Sequence, residues 1–179
     1  MTLGIVAVLM AIALPSMREF IVRKRLEGIA LELMTDLRFL RSHQIQGNLD
    51  LGTAIGFGST GTKSCYIVYT LGNGGGGNTV NCNCAAAAEK VCGTGNKNEG
   101  IPARPLRQVD ILVNSGVSLV ANSSRLAVLG ANAMPQDNES LEVTVSSESA
   151  GKIRVSTNGV GLPSMCSISG SFGSIAHCP

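Results

Sequence analysis

The chain has 179 residues, which is enough for one domain of ordinary size with an appended segment. Its 14 basic and 12 acidic side chains leave a formal charge of +2, which excludes a protein that binds polyanions through its net charge. Aromatic residues make up 3% of the chain, whereas glycine occurs 22 times, and this composition favours short strands joined by turns.

The first predicted element is an apolar N-terminal segment. Residues 1–17 carry no charged side chain, and residues 4–14 form an unbroken apolar run. Three interpretations compete for it: a buried core helix, a secretory signal peptide, and a membrane span whose first residues precede this sequence. A signal peptide should begin with basic residues, and none are present. A span needs about 20 apolar residues. We expect a span, because a helical pattern continues beyond the segment.

That helical pattern covers residues 18–47. Apolar residues recur at spacings of four, three, four and three, which predicts one helix face packed on the rest of the protein. These helix-packing residues are Leu26, Ala30, Leu33, Leu37 and Leu40. The charged residues expected on the remaining faces are Glu27, Glu32, Asp36, Arg38 and Arg41. Gly47 followed by Asn48 predicts the helix end. The sequence therefore predicts one long helix with a transmembrane or filament-core part at 1–17 and an amphipathic part at 18–47.

Residues 48–179 are predicted to form a β-rich head. Residues 141–147 alternate between apolar and polar side chains, as a half-buried strand does, and Ala150-Gly151 after them predicts a hairpin. The segments with the character of strands are 51–57, 64–71, 107–113, 117–120, 125–129, 141–147 and 152–157. The glycine-rich residues 72–78 predict a mobile loop. The expected fold class is α+β, with a long N-terminal helix packed on an antiparallel sheet.

All six cysteines lie in this head: Cys65, Cys82, Cys84, Cys92, Cys166 and Cys178. An even number of cysteines confined to one region favours disulfides formed in an oxidising compartment, although six cysteines allow fifteen pairings. The alternative is a metal site built from Cys82, Cys84 and Cys92. Structural zinc sites prefer larger gaps than the single residue between the first two, so we expect disulfides and no metal.

Motifs of catalysis and cofactor binding are not found in the sequence. His43 and His177 stand in no metal or nucleophile motif, and no serine lies in a Gly-x-Ser-x-Gly pattern. The glycine-rich segments lack the Gly-Lys-Ser/Thr arrangement of a phosphate-binding loop. We therefore predict no catalytic residue, no cofactor and no small-molecule substrate, and hence no enzyme.

One pair of basic residues is a candidate binding site. Lys152 and Arg154 are two residues apart on a predicted strand, so both side chains point to one face. Two cations on one face can contact neighbouring phosphates. The alternative is an ordinary strand face exposed to solvent, which is the usual environment of charged residues.

Residues 2–46 resemble the N-terminal helix of type IV pilins and type II secretion pseudopilins, and are most similar to the minor members called the GspH/FimT family. The resemblance lies in the ALPS sequence at 13–16, where the apolar run ends, and in the DLRFLRS sequence at 36–42. In the head, residues 64–70 and 151–155 resemble core strands of the family. Cys82, Cys84 and Cys92 resemble a cysteine-bearing insert. Cys166 and Cys178 resemble a closing pair, and a loop of about a dozen residues is easily bridged.

The resemblance implies a minor pilin that initiates or modulates assembly of a type IV pilus, or alternatively a type II secretion pseudopilin. The helix would lie in the bacterial inner membrane and later contact other pilins, with the head on the extracytoplasmic side. A basic leader, a processing site and a glutamate are expected ahead of Thr2. Some minor pilins bind DNA during uptake, which implies weak DNA binding by Lys152 and Arg154. A secreted cysteine-rich binding module is the alternative from another class.

Overall fold

The structure is a computed structural model that describes residues 2–47, 52–73, 79–87, 91–93, 101–129, 134–135, 140–173 and 175–179, with helix side chains from residue 17 to residue 46. Within these residues, no helix is both long and apolar enough to cross a membrane. The junction at 48–51 and the glycine-rich residues 74–78 lie outside the described residues.

The described elements follow one another as one long helix and a series of short strands. In chain order they are α1 (Thr2–Gly47), β1 (Thr53–Ser59), β2 (Lys63–Thr70), β3 (Gly72–Asn73), β4 (Thr79–Val80), β5 (Arg104–Leu112), a 3-10 turn (Val113–Ser115), β6 (Ser118–Ala121), β7 (Arg125–Leu129), β8 (Met134–Pro135), β9 (Glu142–Ser147), β10 (Gly151–Thr157) and β11 (Pro163–Ser169). The fold class is α+β, as the sequence predicted, with α1 packed on antiparallel sheets.

The strands form two main sheets in which all neighbours are antiparallel. The first sheet has the order β5-β2-β1-β7-β8, and the second has the order β11-β10-β9-β6, while β3 and β4 form a separate pair. The predicted hairpin is the β9–β10 connection, where Gly151 takes a φ of 108° that favours glycine. Each of the seven predicted strands overlaps an observed one, usually within two residues at either end.

Two strand predictions need correction. Gly72 and Asn73 were assigned to a loop, but they pair with β4. Strand β11 is absent from the predicted strands, because its buried position is a serine, Ser167, whereas the neighbouring Ile168 is exposed. This strand lies at the margin of the second sheet, and the C-terminal tail runs beside it. The Ser167 N–H donates to the Ala176 carbonyl at 2.8 Å, and the Cys178 N–H donates to the Ser167 carbonyl at 2.9 Å.

The helix α1 lies across the inner faces of both sheets and forms the main core with them. The five residues of the predicted packing face are 0–2% exposed: Leu26, Ala30, Leu33, Leu37 and Leu40. Burial of each leucine stabilises the fold by about 1.5–3 kcal/mol. The sheets contribute, among others, Ile55, Tyr66, Val68, Val143, Val145, Ile153 and Val155. Asp36 was assigned to a solvent-facing side of the helix, and that was wrong, because its side chain is 1% exposed.

A second, smaller core lies on the outer face of the first sheet. It forms where the insert between β2 and β5 folds back over β1 and β2. A Cβ atom at Gly56 would lie 3.3 Å from the Cys82 carbonyl oxygen, and one at Gly58 would lie 3.0 Å from the Ala85 Cβ. Glycine at these alternate positions of β1 therefore leaves the room that the insert needs.

Candidate interaction site

The surface of α1 opposite the sheets carries a set of large apolar side chains, here called the outer stripe. Because an α-helix has 3.6 residues per turn, positions 17, 20, 21, 28, 31 and 39 lie opposite the buried positions 26, 30, 33 and 37. The outer stripe consists of Met17, Phe20, Ile21, Leu31 and Phe39, which are 41–63% exposed. Apolar side chains on an exposed face are a feature of interaction surfaces, and here the exposed Lys24, Thr35 and Arg38 lie among them.

Gly28 lies in the middle of this exposed face. A Cβ atom added to Gly28 would meet nothing within 4 Å, so packing inside the molecule does not require glycine there. Glycine within a helix costs about 1 kcal/mol relative to alanine. A small residue on a helix surface allows the backbone of another helix to approach closely. Because Gly28 has no side chain, it leaves a shallow depression in the helix surface that is suited to helix–helix contact.

A network of charged and polar groups fixes α1 on the first sheet. The buried Tyr66 hydroxyl donates to Asp36 Oδ2 at 2.8 Å, and Arg107 Nη1 donates to Asp36 Oδ1 at 2.9 Å. Arg107 also pairs through Nη2 with Glu32, one helical turn before Asp36. The arginine therefore bridges two helix carboxylates from β5, while the tyrosine holds one of them from β2. The pairing fixes the rotation of the helix, and so decides which of its faces points outward.

Burial determines the protonation of this network. Desolvation raises the pKa of Asp36 above its ordinary value, while the Tyr66 hydrogen bond and the Arg107 charge act in the opposite direction. Burial and the adjacent Asp36 raise the pKa of Tyr66, so the phenol keeps its proton and remains a donor. Sequence reasoning missed this network. The available signal was the position of Asp36 between Leu33 and Leu37, at the border of the packing face.

Two further hydrogen bonds attach α1 to the head away from this network. In the middle of α1, Arg25 Nη1 donates to the Ser115 carbonyl at 3.0 Å. Near its end, the buried Thr53 hydroxyl donates to the Leu40 carbonyl at 3.2 Å. The helix is thus held between Arg25 and Leu40, the part of α1 that carries Gly28, Leu31 and Phe39.

Lys152 and Arg154 both belong to β10 on the face turned away from the helix, where acidic residues accompany them. Arg154 Nε lies 2.7 Å from Glu142 Oε1 of β9, as an ion pair without the alignment of a hydrogen bond. Lys152 is exposed and lines, together with Glu148 and several serines, an open cavity of about 520 Å³. These carboxylates lower the positive potential that a phosphate would meet. DNA binding by the pair stays a prediction.

The cysteines form three disulfides: Cys65–Cys84, Cys82–Cys92 and Cys166–Cys178. The last pair ties the C-terminal tail to β11, and the first two attach the insert to the first sheet and to itself. Each of the six sulfur atoms is therefore bonded to one other sulfur, and none is a free thiolate that could ligate zinc.

The comparisons with known proteins give a similar solved structure. No protein-family model matches the chain. No curated protein matches it either. Among solved structures, a crystal structure of the type IV minor pilin FimU of Pseudomonas aeruginosa strain PAO1 is similar to this chain with a TM-score of 0.47 and 14% sequence identity, over 78% of this chain and 90% of that one.

Proposed function

We propose that this chain is a non-enzymatic subunit of a pilus-like filament, of the minor pilin or pseudopilin kind, that joins other subunits through α1. The outer stripe is the observation that carries the proposal. A helix that is buried on one side and carries large apolar side chains on its exposed side is suited to lie between its own head and neighbouring helices. Gly28 supports this arrangement, because it serves no packing purpose within the molecule.

The remaining parts of the proposal come from the sequence. The apolar residues 1–17 would store the subunit in the bacterial inner membrane and then extend the helix contacts into the filament core. The disulfides support an extracytoplasmic head, because disulfides persist in oxidising compartments. A reporter fused after Pro179 should therefore be active outside the cytoplasm, and activity confined to the cytoplasm would contradict this topology. A type II secretion pseudopilin would use the same helix, and the outer stripe does not distinguish the two systems.

The proposal can be tested with two leucines of matched exposure. Leu31 of the outer stripe is 51% exposed, and Leu162 in the β10–β11 connection is 53% exposed. Half-burial of a leucine at an interface is worth about 1 kcal/mol, so Leu31→Gln should reduce incorporation into sheared filaments roughly fivefold. Leu162→Gln removes the same chemistry from the head and should leave incorporation unchanged. Equal incorporation of both variants, at equal protein levels, would contradict assembly through the outer stripe.

The secreted binding module is distinguished by the fate of residues 1–17. A filament subunit keeps this segment in its mature form and fractionates with the inner membrane. A secreted module loses it with the signal peptide and is found free. Mass spectrometry of the N-terminal peptide from membrane and soluble fractions separates these outcomes.

A further inference from the structure

A polar cavity of about 370 Å³ lies on the head, where the insert meets the end of β1 and the start of β7. Its volume is within the range of small-ligand sites. Polar side chains line much of it: Tyr69, Asn81, Asn83, Ser124 and Arg125. None of these residues belongs to the outer stripe or to the Lys152–Arg154 face.

The oxygen acceptors of both asparagine side chains at this cavity are already engaged. Arg125 Nη1 donates to Asn81 Oδ1 at 2.6 Å, and the Tyr69 hydroxyl lies 3.5 Å from the same oxygen. Asn83 Oδ1 accepts the Ala85 backbone N–H at 2.9 Å. Among the described residues, the lining groups left without a partner are the two amide NH₂ groups, which are donors, and the Ser124 hydroxyl, whereas Arg125 also contacts the Tyr69 hydroxyl. A ligand that satisfies them must present acceptors.

The charge of Arg125 is not balanced by a described carboxylate. Arg107, Arg154 and Lys63 each have an acidic oxygen within 4.0 Å, whereas no described Asp or Glu lies that close to Arg125. Its partners are the neutral side chains of Asn81 and Tyr69. The cavity therefore combines convergent donors with one positive charge. A guanidinium in such a place is suited to a planar carboxylate, which it can bind with two parallel hydrogen bonds.

The donors are also held rigidly. Cys82 and Cys84 alternate with the two asparagines along one extended segment, and their side chains are 6% and 1% exposed. One disulfide ties Cys84 to Cys65 of β2, and the other ties Cys82 to Cys92. The two cysteine side chains are thus fixed by disulfides, while the alternating side chains of Asn81 and Asn83 are exposed. Such preorganisation lowers the entropy cost of binding.

We propose that this cavity binds a carboxylate, carried by an acidic side chain of a partner protein. Arg125 supplies the charge, and the amide groups of Asn81 and Asn83 complete the hydrogen bonds. The proposal does not depend on filament assembly, because a head that fails to assemble would still bind the carboxylate.

The test uses the full chain, ¹⁵N-labelled in detergent micelles, and two probes that differ only in charge. N-acetyl-glutamate methylamide should shift the Arg125 side-chain N–H and the Asn81 and Asn83 NH₂ resonances, with saturation in the millimolar range that one charged contact provides. N-acetyl-glutamine methylamide should leave them unchanged. Arg125→Gln should weaken binding of the acidic probe at least about 10-fold, because a charge-assisted hydrogen bond is lost. Arg104→Gln, at an exposed arginine of β5, should not affect it.

Equal shifts with both probes, or undiminished binding by Arg125→Gln, would overturn the proposal. A sulfate titration distinguishes the ligand classes, and sulfate binding without binding of the acidic probe would overturn the carboxylate assignment. If Arg125→Gln changes resonances throughout the head, the comparison of the two probes on the unmodified chain still decides the question.

Discussion

The hydrogen bond from Tyr66 to Asp36 allows a quantitative test of how α1 is fixed on the head. Tyr66→Phe keeps the ring and removes only the donor, so no cavity is created. The Asp36 carboxyl is 1% exposed, so water cannot replace the lost donor. A hydrogen bond to a charged group contributes about 1.5–3 kcal/mol. We expect the free energy of unfolding to fall by about 2 kcal/mol at pH 7, which corresponds to roughly 4–8 °C in Tm for a chain of this size.

The pH dependence of the Tyr66→Phe effect makes the test specific. The hydrogen bond stabilises the ionised carboxyl, so its loss raises the pKa of Asp36 further. The destabilisation should therefore grow as the pH rises through the folded-state pKa of Asp36, which lies above the ordinary aspartate value of 3.8. Tyr69→Phe is the matched control, because this tyrosine is equally buried in β2 but contacts the neutral Asn81 oxygen at 3.5 Å. Its effect should be about 1 kcal/mol or less and constant over the acidic range. Urea denaturation between pH 3 and 8 measures both variants, and a Tyr66→Phe effect under about 0.5 kcal/mol, or one independent of pH, would refute this reasoning.

Three further predictions concern single sites. Burial raises the folded-state pKa of Asp36, so folding favours the protonated carboxyl. The free energy of unfolding of the unmodified chain, relative to that of Asp36→Asn, should therefore be greatest below pH 3.8 and should fall as the pH rises through the raised pKa. Urea denaturation over this pH range measures the difference. Leu33→Asp buries a charge in the core and should cost at least about 3–5 kcal/mol in a thermal melt, whereas Leu31→Asp on the exposed face should change stability by about 0.5 kcal/mol or less. Replacing Cys82 and Cys92 by serine opens a loop with a sequence separation of 10, which should cost roughly 2–3 kcal/mol; unchanged stability would show that the insert is held by packing alone.

Periodicity predicted the parts of the fold that repeat along the chain. The packing face of α1 and the alternation in β9 could be predicted from the sequence, because one face of each element is buried along its length. The burial of Asp36 could not be predicted in this way. Its burial depends on Tyr66 and Arg107, which are 30 and 71 residues away in sequence. A local pattern assigns any isolated carboxylate to solvent.

The outer stripe and the cavity near Arg125 illustrate the same limit. The sequence pattern assigned charged residues to the faces of α1 away from the packing face, so the exposed apolar side chains of Phe20, Leu31 and Phe39 were not predicted. Asn81 and Asn83 belong to a segment whose cysteines gave the visible signal. Their role as lining residues depends on two disulfide pairings, and the spacing of six cysteines does not determine those.

The C-terminal tail has a consequence for how copies of this protein meet. A marginal strand such as β11 presents unpaired N–H and C=O groups, and such an edge is a template for uncontrolled pairing with strands of other chains. Here the backbone N–H and C=O groups of Ser167 form hydrogen bonds with the tail, and the Cys166–Cys178 disulfide keeps that tail in place. Reduction of this one bond would therefore expose an aggregation-prone edge without touching the core. The tail thus protects the sheet against strand-to-strand polymerisation when many copies are crowded together.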